Sequence, residues 1–234
     1  MKNINVNGIE VEVAKKKVKN IRLTIYPSTG AVRISAPLKV SDEFIRQFVE
    51  SKLKWIEKHK EKILKAERKN ERQYISGEDI YLWGRKYKLI VLPSINNKVE
   101  ISGDNIILHT RENNTLEKRK AIVNQWYRNE LKKEIPMLLE KWQNIMGVSA
   151  EEFGVKDMKT RWGTCNIRDK RVWINLRLAR RPYRCLEYVV VHELTHLLER
   201  NHNYIFKAYM SKFLPEWPSV KEELNKFAVE YFDE

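Results

Sequence analysis

The segment HELTHLLERNH, residues 192–202 of a 234-residue chain, holds the side chains best suited to chemistry. His192 and His196 stand four apart, which on a helix puts both imidazoles on one face about one turn from each other, close enough to share a metal ion. Glu193 lies beside them and can reach a water on that ion, the arrangement of the zinc-binding H-E-x-x-H helix. His202 follows His192 by ten residues, and on an unbroken helix it would lie about 15 Å further along the axis, out of reach. Asn201 tolerates the left-handed conformation that ends helices, so the chain is expected to turn back there and offer His202 as third ligand. Three neutral imidazoles and a water make an open tetrahedral zinc (Zn2+) site. Glu199 shares the face of His192 and His196 but lies about 10 Å along the axis from His192. A downstream acid, Glu216 or Glu222, is the alternative third ligand. Of the five histidines, His59 and His109 fall outside this motif and are expected to be structural or solvent-facing.

The chemistry follows from the ligands. Zinc lowers the pKa of its bound water toward about 7, and Glu193 takes the remaining proton as water attacks a carbonyl, then passes it to the leaving amine. A second segment, RWGTCN at 161–166, offers Arg161 to stabilise an oxyanion or hold a substrate carboxylate or phosphate. Trp162 and Gly163 could shape a tight turn against the catalytic helix, or the segment could serve packing alone. Arg161, Trp162 and Asn175 are the candidate substrate-binding residues. Cys165 reads as a buried small residue rather than a fourth, inhibitory ligand.

These residues must be positioned by a mixed scaffold. Alternation of apolar residues at Ile9–Val13, Ile21–Ile25 and Val32–Ile34, with a turn around Gly30, predicts a β hairpin region at the start. Ser41 with Asp42 and Glu43 predicts a helix N-terminus, and the spacing of Phe44, Phe48, Leu53, Ile56 and Ile63 carries that helix to about residue 66. Residues 69–78 read as a linker, followed by a second β region at 80–91 and 99–109 with Gly103-Asp104 as turn. A long helix starts near Asn114, and Pro136 is expected to kink or divide it. A short strand at 153–159, a loop holding RWGTCN and an alternating strand at 172–176 come next. Pro182 opens a helix running to about Arg200, and two amphipathic helices, near 203–213 and 218–231, finish the chain. No internal repeat is visible. The expected fold class is α+β: a β-rich part with one long helix over 1–112, then a zincin-like catalytic domain over 113–234 with a short sheet next to the H-E-x-x-H helix.

Composition narrows the classes. The chain carries 45 Lys+Arg against 31 Asp+Glu, a formal net charge of +14, with 42% hydrophobic and 32% charged residues, which excludes disorder. About +12 of that charge precedes residue 151. Such a surface could attract a nucleotide, nucleic acid or acidic protein. No apolar run long enough to span a membrane and no signal-like start is present, so a cytoplasmic protein without a membrane partner is expected. Two cysteines, Cys165 and Cys185, exclude a disulfide framework.

RWGTCN at 161–166, VWINLRLAR at 172–180, the Pro-to-Val approach from Pro182 to Val191 and HELTHLLERNH at 192–202 together resemble the YgjP-like family of zincin metallopeptidases, relatives of the SprT-like and Wss1-like proteases. Thr164 stands where that family usually has Ser, and the hydroxyl is kept. The resemblance implies a metal-dependent hydrolase with His192, His196 and His202 as ligands and Glu193 as base. The spacing of the three histidines also matches metzincins, but Glu199 stands where they have a helix-ending Gly, and Met210 falls in an apparent helix. The expected function is therefore a zinc metallopeptidase in which strand 171–177 or its neighbour pairs with an extended peptide or protein substrate. About eight Arg+Lys against one acid between residues 161 and 184 leave a metal-dependent nucleotide phosphohydrolase (pyrophosphatase-like) as the alternative. A nucleic-acid-associated module with a structural or inactive metal site is a third.

Overall fold

The computed structural model describes residues 2–26, 30–70 and 72–228, and the side chains of 62–70 and 228 lie outside that description. In chain order the elements are β1 (Lys2–Val6), β2 (Ile9–Lys16), β3 (Arg22–Ile25), β4 (Val32–Pro37), α1 (Asp42–Ser51), α2 (Leu53–Asn70), β5 (Asp79–Leu82), β6 (Arg85–Pro93), β7 (Lys98–Ser102), β8 (Asn105–Thr110), α3 (Leu116–Met146), β9 (Glu152–Lys156), β10 (Gly163–Asn166), β11 (Arg171–Asn175), a 3-10 helix (Leu176–Arg180), α4 (Tyr183–Thr195), α5 (Tyr204–Phe213) and α6 (Trp217–Ala228). The class is α+β, with a β-rich N-terminal part. No helix among the described residues is long and apolar enough to cross a membrane.

Two compact units emerge, one within Met1–Glu71 and one spanning Arg72–Phe227. The boundary thus falls near residue 71 and not at the expected 112/113. Ile80, Leu82, Leu89, Ile106 and Leu108 of the second four-stranded sheet share one buried cluster with Val123 and Leu131 of α3 and Leu186 and Val190 of α4. Apolar alternation marks a strand's buried face but not what covers it, so the two β regions look alike in sequence.

The likeness is more than patterning. The sheets have the orders β1-β2-β4-β3 and β5-β6-β8-β7. In each, the first two strands pair antiparallel, the second and fourth pair parallel, and the third and fourth pair antiparallel. Each opens with a two-residue turn in which both residues have positive φ, Asn7-Gly8 (49° and 84°) and Trp83-Gly84 (51° and 80°), the geometry that matches strand twist. Each closes with a hydroxyl-capped helix: Ser41 Oγ accepts from Phe44 N–H, and Thr115 Oγ1 accepts from Lys118 N–H. Val13 pairs with Ile34 in the first sheet as Leu89 pairs with Ile106 in the second. The chain therefore contains an internal structural repeat that its sequence conceals, because many apolar pairs fill the same buried positions.

Helix limits were only partly legible. The expected helix from Ser41 to about 66 is broken at Lys52, whose N–H bonds to the carbonyls of Val49 and Glu50 and ends α1. The cap of α3 is Thr115 and not Asn114, and Pro136 lies within α3 without dividing it. RWGTCN is not all loop, since Gly163–Asn166 forms β10, antiparallel to β11. β11 also pairs parallel with β9, so the small sheet has the order β10-β11-β9 with β11 in the middle.

Candidate active site

The apolar run Tyr188–Val191 buries α4 in the core and carries His192, Glu193 and His196 to its C-terminal end. The helix stops at Thr195, five residues before the expected end near Arg200. Its last carbonyls are taken up by tight turns, with Leu197 N–H on Leu194 O at 3.0 Å, and Leu198 and Glu199 N–H on Thr195 O at 3.0 and 2.9 Å. Asn201 is not left-handed, so the expected reversal at that residue is replaced by a wider bend. Glu199 shapes it: its carboxylate accepts from Asn201 N–H at 3.0 Å, and its carbonyl accepts from His196 Nδ1 at 3.3 Å. A residue that sequence spacing removes from the site thus supports it through its backbone and the local turn. Asn203 Oδ1 then accepts from Phe206 N–H at 3.0 Å and starts α5.

This bend brings the three histidines together. One ring nitrogen from each of His192, His196 and His202 lies within 4.8 Å of the others, and the Nε2 atoms of His192 and His202 are 2.9 Å apart. Donors on one zinc ion at about 2.1 Å would stand roughly 3.3 Å apart, a spacing that these distances bracket. Burial, then the neighbouring imidazoles, pull His192 down to about 3, and burial also lowers His196 and His202. All three are therefore neutral near pH 7, as metal ligands must be. The His196 Nδ1–H bond to Glu199 O leaves Nε2 of that ring for an ion. The set could hold one metal ion. Among the described residues neither Glu216, Glu222 nor Cys165 joins this cluster.

Phe206 is the residue that sequence reading overlooked. Its ring is 97% buried, with its centroid 4.9, 4.9 and 4.7 Å from those of His192, His196 and His202. One apolar ring thus contacts all three imidazoles, restricting their rotamers and excluding water from that side. Its only sequence signal is the i+3 spacing from the capping Asn203. Met210, one turn further along α5, is fully buried and accepts a contact from Thr195 Oγ1 at 3.3 Å.

Glu193 is 4% exposed, and burial pushes its carboxyl up to about 8 against the opposing field of Arg161. β10 crosses directly over it. A Cβ on Gly163 would stand 2.6 Å from Glu193 Oε1, so only glycine permits this approach. Cys165, two residues on, is half-buried and its thiol is pushed up to about 11, first by burial and then by Glu193. It is a protonated, packed thiol, and not an activated nucleophile.

The candidate substrate residues separate. Arg161 is exposed beside Glu193. Trp162 packs against the core, and its carbonyl accepts from Asn175 N–H at 2.9 Å. Asn175 is fully buried: its amide donates to Met158 O at 2.9 Å and Arg161 O at 2.6 Å, while Oδ1 accepts from Arg177 N–H at 3.1 Å and Met158 N–H at 3.4 Å. Its side chain is thus spent on holding the 158–162 loop, not on meeting a substrate. Asn175→Ala should leave those carbonyls unpaired and cost about 2 kcal/mol or more of stability, measurable by urea denaturation.

Five arginines after Arg161 are engaged within the protein. Arg171 bonds Glu152 at 2.6 Å, Arg177 bonds Asp157 at 2.9 Å, and Arg184 forks onto both oxygens of Glu223 at 2.6 and 2.7 Å. Arg180 reaches Asn124 Oδ1 at 3.3 Å and lies over Tyr127, and Arg181 is buried against Phe227.

A model of the YgjP-like metallopeptidase domain matches residues 19–227. The chain belongs to the YgjP-like family. As a member of a metallopeptidase family it is a hydrolase, and a protein or peptide is the substrate that such a family implies. Among solved structures, the metallopeptidase zymogen abylysin of Pyrococcus abyssi is similar at 18% identity over 38% of this chain and 90% of its own, with a TM-score of 0.36, a likeness too slight to carry a structural argument. No curated protein matches the chain.

Proposed function

We propose that this YgjP-like protein is a zinc-dependent endopeptidase that holds an extended peptide along β10. His192, His196 and His202 would hold the metal, which when bound would supply an acidified water and polarise the scissile carbonyl. Glu193, whose buried carboxyl the field of a bound cation would ionise, would take a proton from the attacking water and deliver it to the leaving amine.

The open edge of β10 is the observation that carries the peptide reading. Of the strands expected to pair with substrate, β11 is occupied on both sides, but its neighbour β10 has β11 on one side only and no strand on the other among the described residues. Asn175 N–H donates to Trp162 O, so by antiparallel alternation Thr164 and Asn166 bond to β11. The N–H and C=O groups of Gly163 and Cys165 then point outward, next to Glu193. A peptide strand would satisfy them and lie across the histidines. Arg161, exposed just before β10, would bind a substrate carboxylate or a developing oxyanion.

A nucleotide phosphohydrolase draws less support. Its argument rested on the basic stretch from Arg161 to Arg184, in which Arg171, Arg177 and Arg184 are bonded to acids and Arg181 is buried.

The test pairs metal analysis with substrate screening. The purified protein should hold about one zinc per chain, and His196→Ala and His202→Ala should each lose it or bind it far more weakly. The loaded wild type should cut members of a broad peptide library. Retention of zinc by His202→Ala with unchanged affinity would remove the third ligand. Hydrolysis of a nucleoside triphosphate, abolished by Glu193→Gln and His192→Ala, with no peptide or unfolded protein cut, would overturn the peptidase reading.

A further inference from the structure

We propose that the N-terminal repeat is a single-stranded nucleic-acid-binding module, with Lys16, Lys17, Lys19 and Arg22 meeting phosphates and exposed aromatic rings meeting bases. The internal repeat supplies the control that a lone charged surface lacks. The same scaffold occurs twice, so residues present in one copy and absent from the other are not required by the fold. In the first copy the connection from β2 to β3 reads Lys15-Lys16-Lys17-Val18-Lys19-Asn20-Ile21-Arg22. In the second, the matching connection from β6 to β7 reads Val91-Leu92-Pro93-Ser94-Ile95-Asn96-Asn97-Lys98. Five cations stand against one, and that one, Lys98, is bonded to Glu100.

Of the five, only Lys15 is paired, to Asp42 at 2.8 Å. Lys16, Lys17, Lys19 and Arg22 are exposed and have no ion-pair partner among the described residues. Four unpaired cations within seven residues repel one another, a cost that a bound polyanion relieves. Residues 1–71 carry 17 Lys+Arg against nine Asp+Glu.

The second observation is aromatic. Tyr26, just after β3, is 37% exposed, with the Arg33 guanidinium, itself paired to Glu12 at 2.6 Å, over its ring at 4.7 Å. Trp55 on α2 is 40% exposed and stacks on His59 at 3.9 Å, with Lys54 and Lys58 exposed on the same helix. Part-exposed rings, each covered on one face and set in a basic unit, suit stacked bases, which every nucleotide offers and an acidic side chain does not. That favours nucleic acid over an acidic polypeptide, and the test below separates it from an anionic membrane. The recognition is backbone-led and tolerant of sequence.

Fluorescence anisotropy of the full chain with a labelled 20-nucleotide oligo-dT tests this. Four phosphate contacts imply a log–log salt slope near −2.8, so affinity should fall by about 50-fold between 50 and 200 mM salt. The variant carrying Lys16→Gln, Lys17→Gln, Lys19→Gln and Arg22→Gln should bind at least tenfold more weakly at 50 mM and show a nearly flat salt response. Trp55→Ala should weaken binding by about tenfold with the salt slope kept, which separates stacking from charge. A 20-residue polyglutamate and phosphatidylserine vesicles should compete poorly. The proposal is overturned by no binding at 50 mM salt, by unchanged binding in both variants, or by equal competition from polyglutamate or vesicles.

Discussion

Glu193→Gln should leave the fold and metal content intact while lowering peptide turnover by about 10²-fold or more. The carboxyl is 4% exposed and packed beneath Gly163, so an isosteric amide fills the same space and disturbs neither the helix nor the histidines. What it removes is the proton acceptor. The amide cannot take a proton from water or pass one to a leaving amine, and no other carboxylate among the described residues joins the histidine cluster. Metal analysis, thermal melting and cleavage of a library-derived peptide together check the claim. Near-normal turnover with metal bound would take Glu193 out of the proton transfer.

Gly163→Ala should produce a comparable loss by another route. The new Cβ would stand 2.6 Å from Glu193 Oε1 and 2.8 Å from both Glu193 Cγ and Val189 Cγ1, closer than real Cβ contacts allow. Either β10 moves off α4 or the carboxyl swings away. Both outcomes misalign the base with a peptide held on the β10 edge, and a displacement of about 1 Å in such a geometry costs roughly 10²-fold in kcat/KM. Overpacking should also lower stability by about 1–3 kcal/mol. Zinc content should not change, because the clash does not involve the imidazoles. A Gly163→Ala protein with wild-type kcat/KM would show that β10 does not set the position of Glu193.

Binding by the N-terminal repeat would give the two units separate tasks, one to hold a polyanion and one to cut a peptide. That division fits the charge along the chain. Residues 1–71 carry +8 of the net +14 on less than a third of the chain, while in the second unit Arg171, Arg177 and Arg184 are bonded to Glu152, Asp157 and Glu223.

The sequence by itself determined the candidate site residues and their local geometry. His192, Glu193 and His196 are related by helical spacing, which needs no distant contact, and the motifs around them were enough to indicate the family. Strand alternation located most of the strands for the same reason, since a two-residue period is a local property. What it could not supply was anything decided by partners distant in the chain. Asn201 looked like the hinge, but a helix ending at Thr195 and a bend held by Glu199 bring His202 to the other two imidazoles. Phe206 is one more apolar residue until α5 folds it against the three rings. Asn175 and the arginines of 171–184 looked available because sequence shows charge and polarity but not whether they are already satisfied. The repeat was hidden most completely, because topology is conserved by strand pairing and buried volume, which many different residues fulfil equally well.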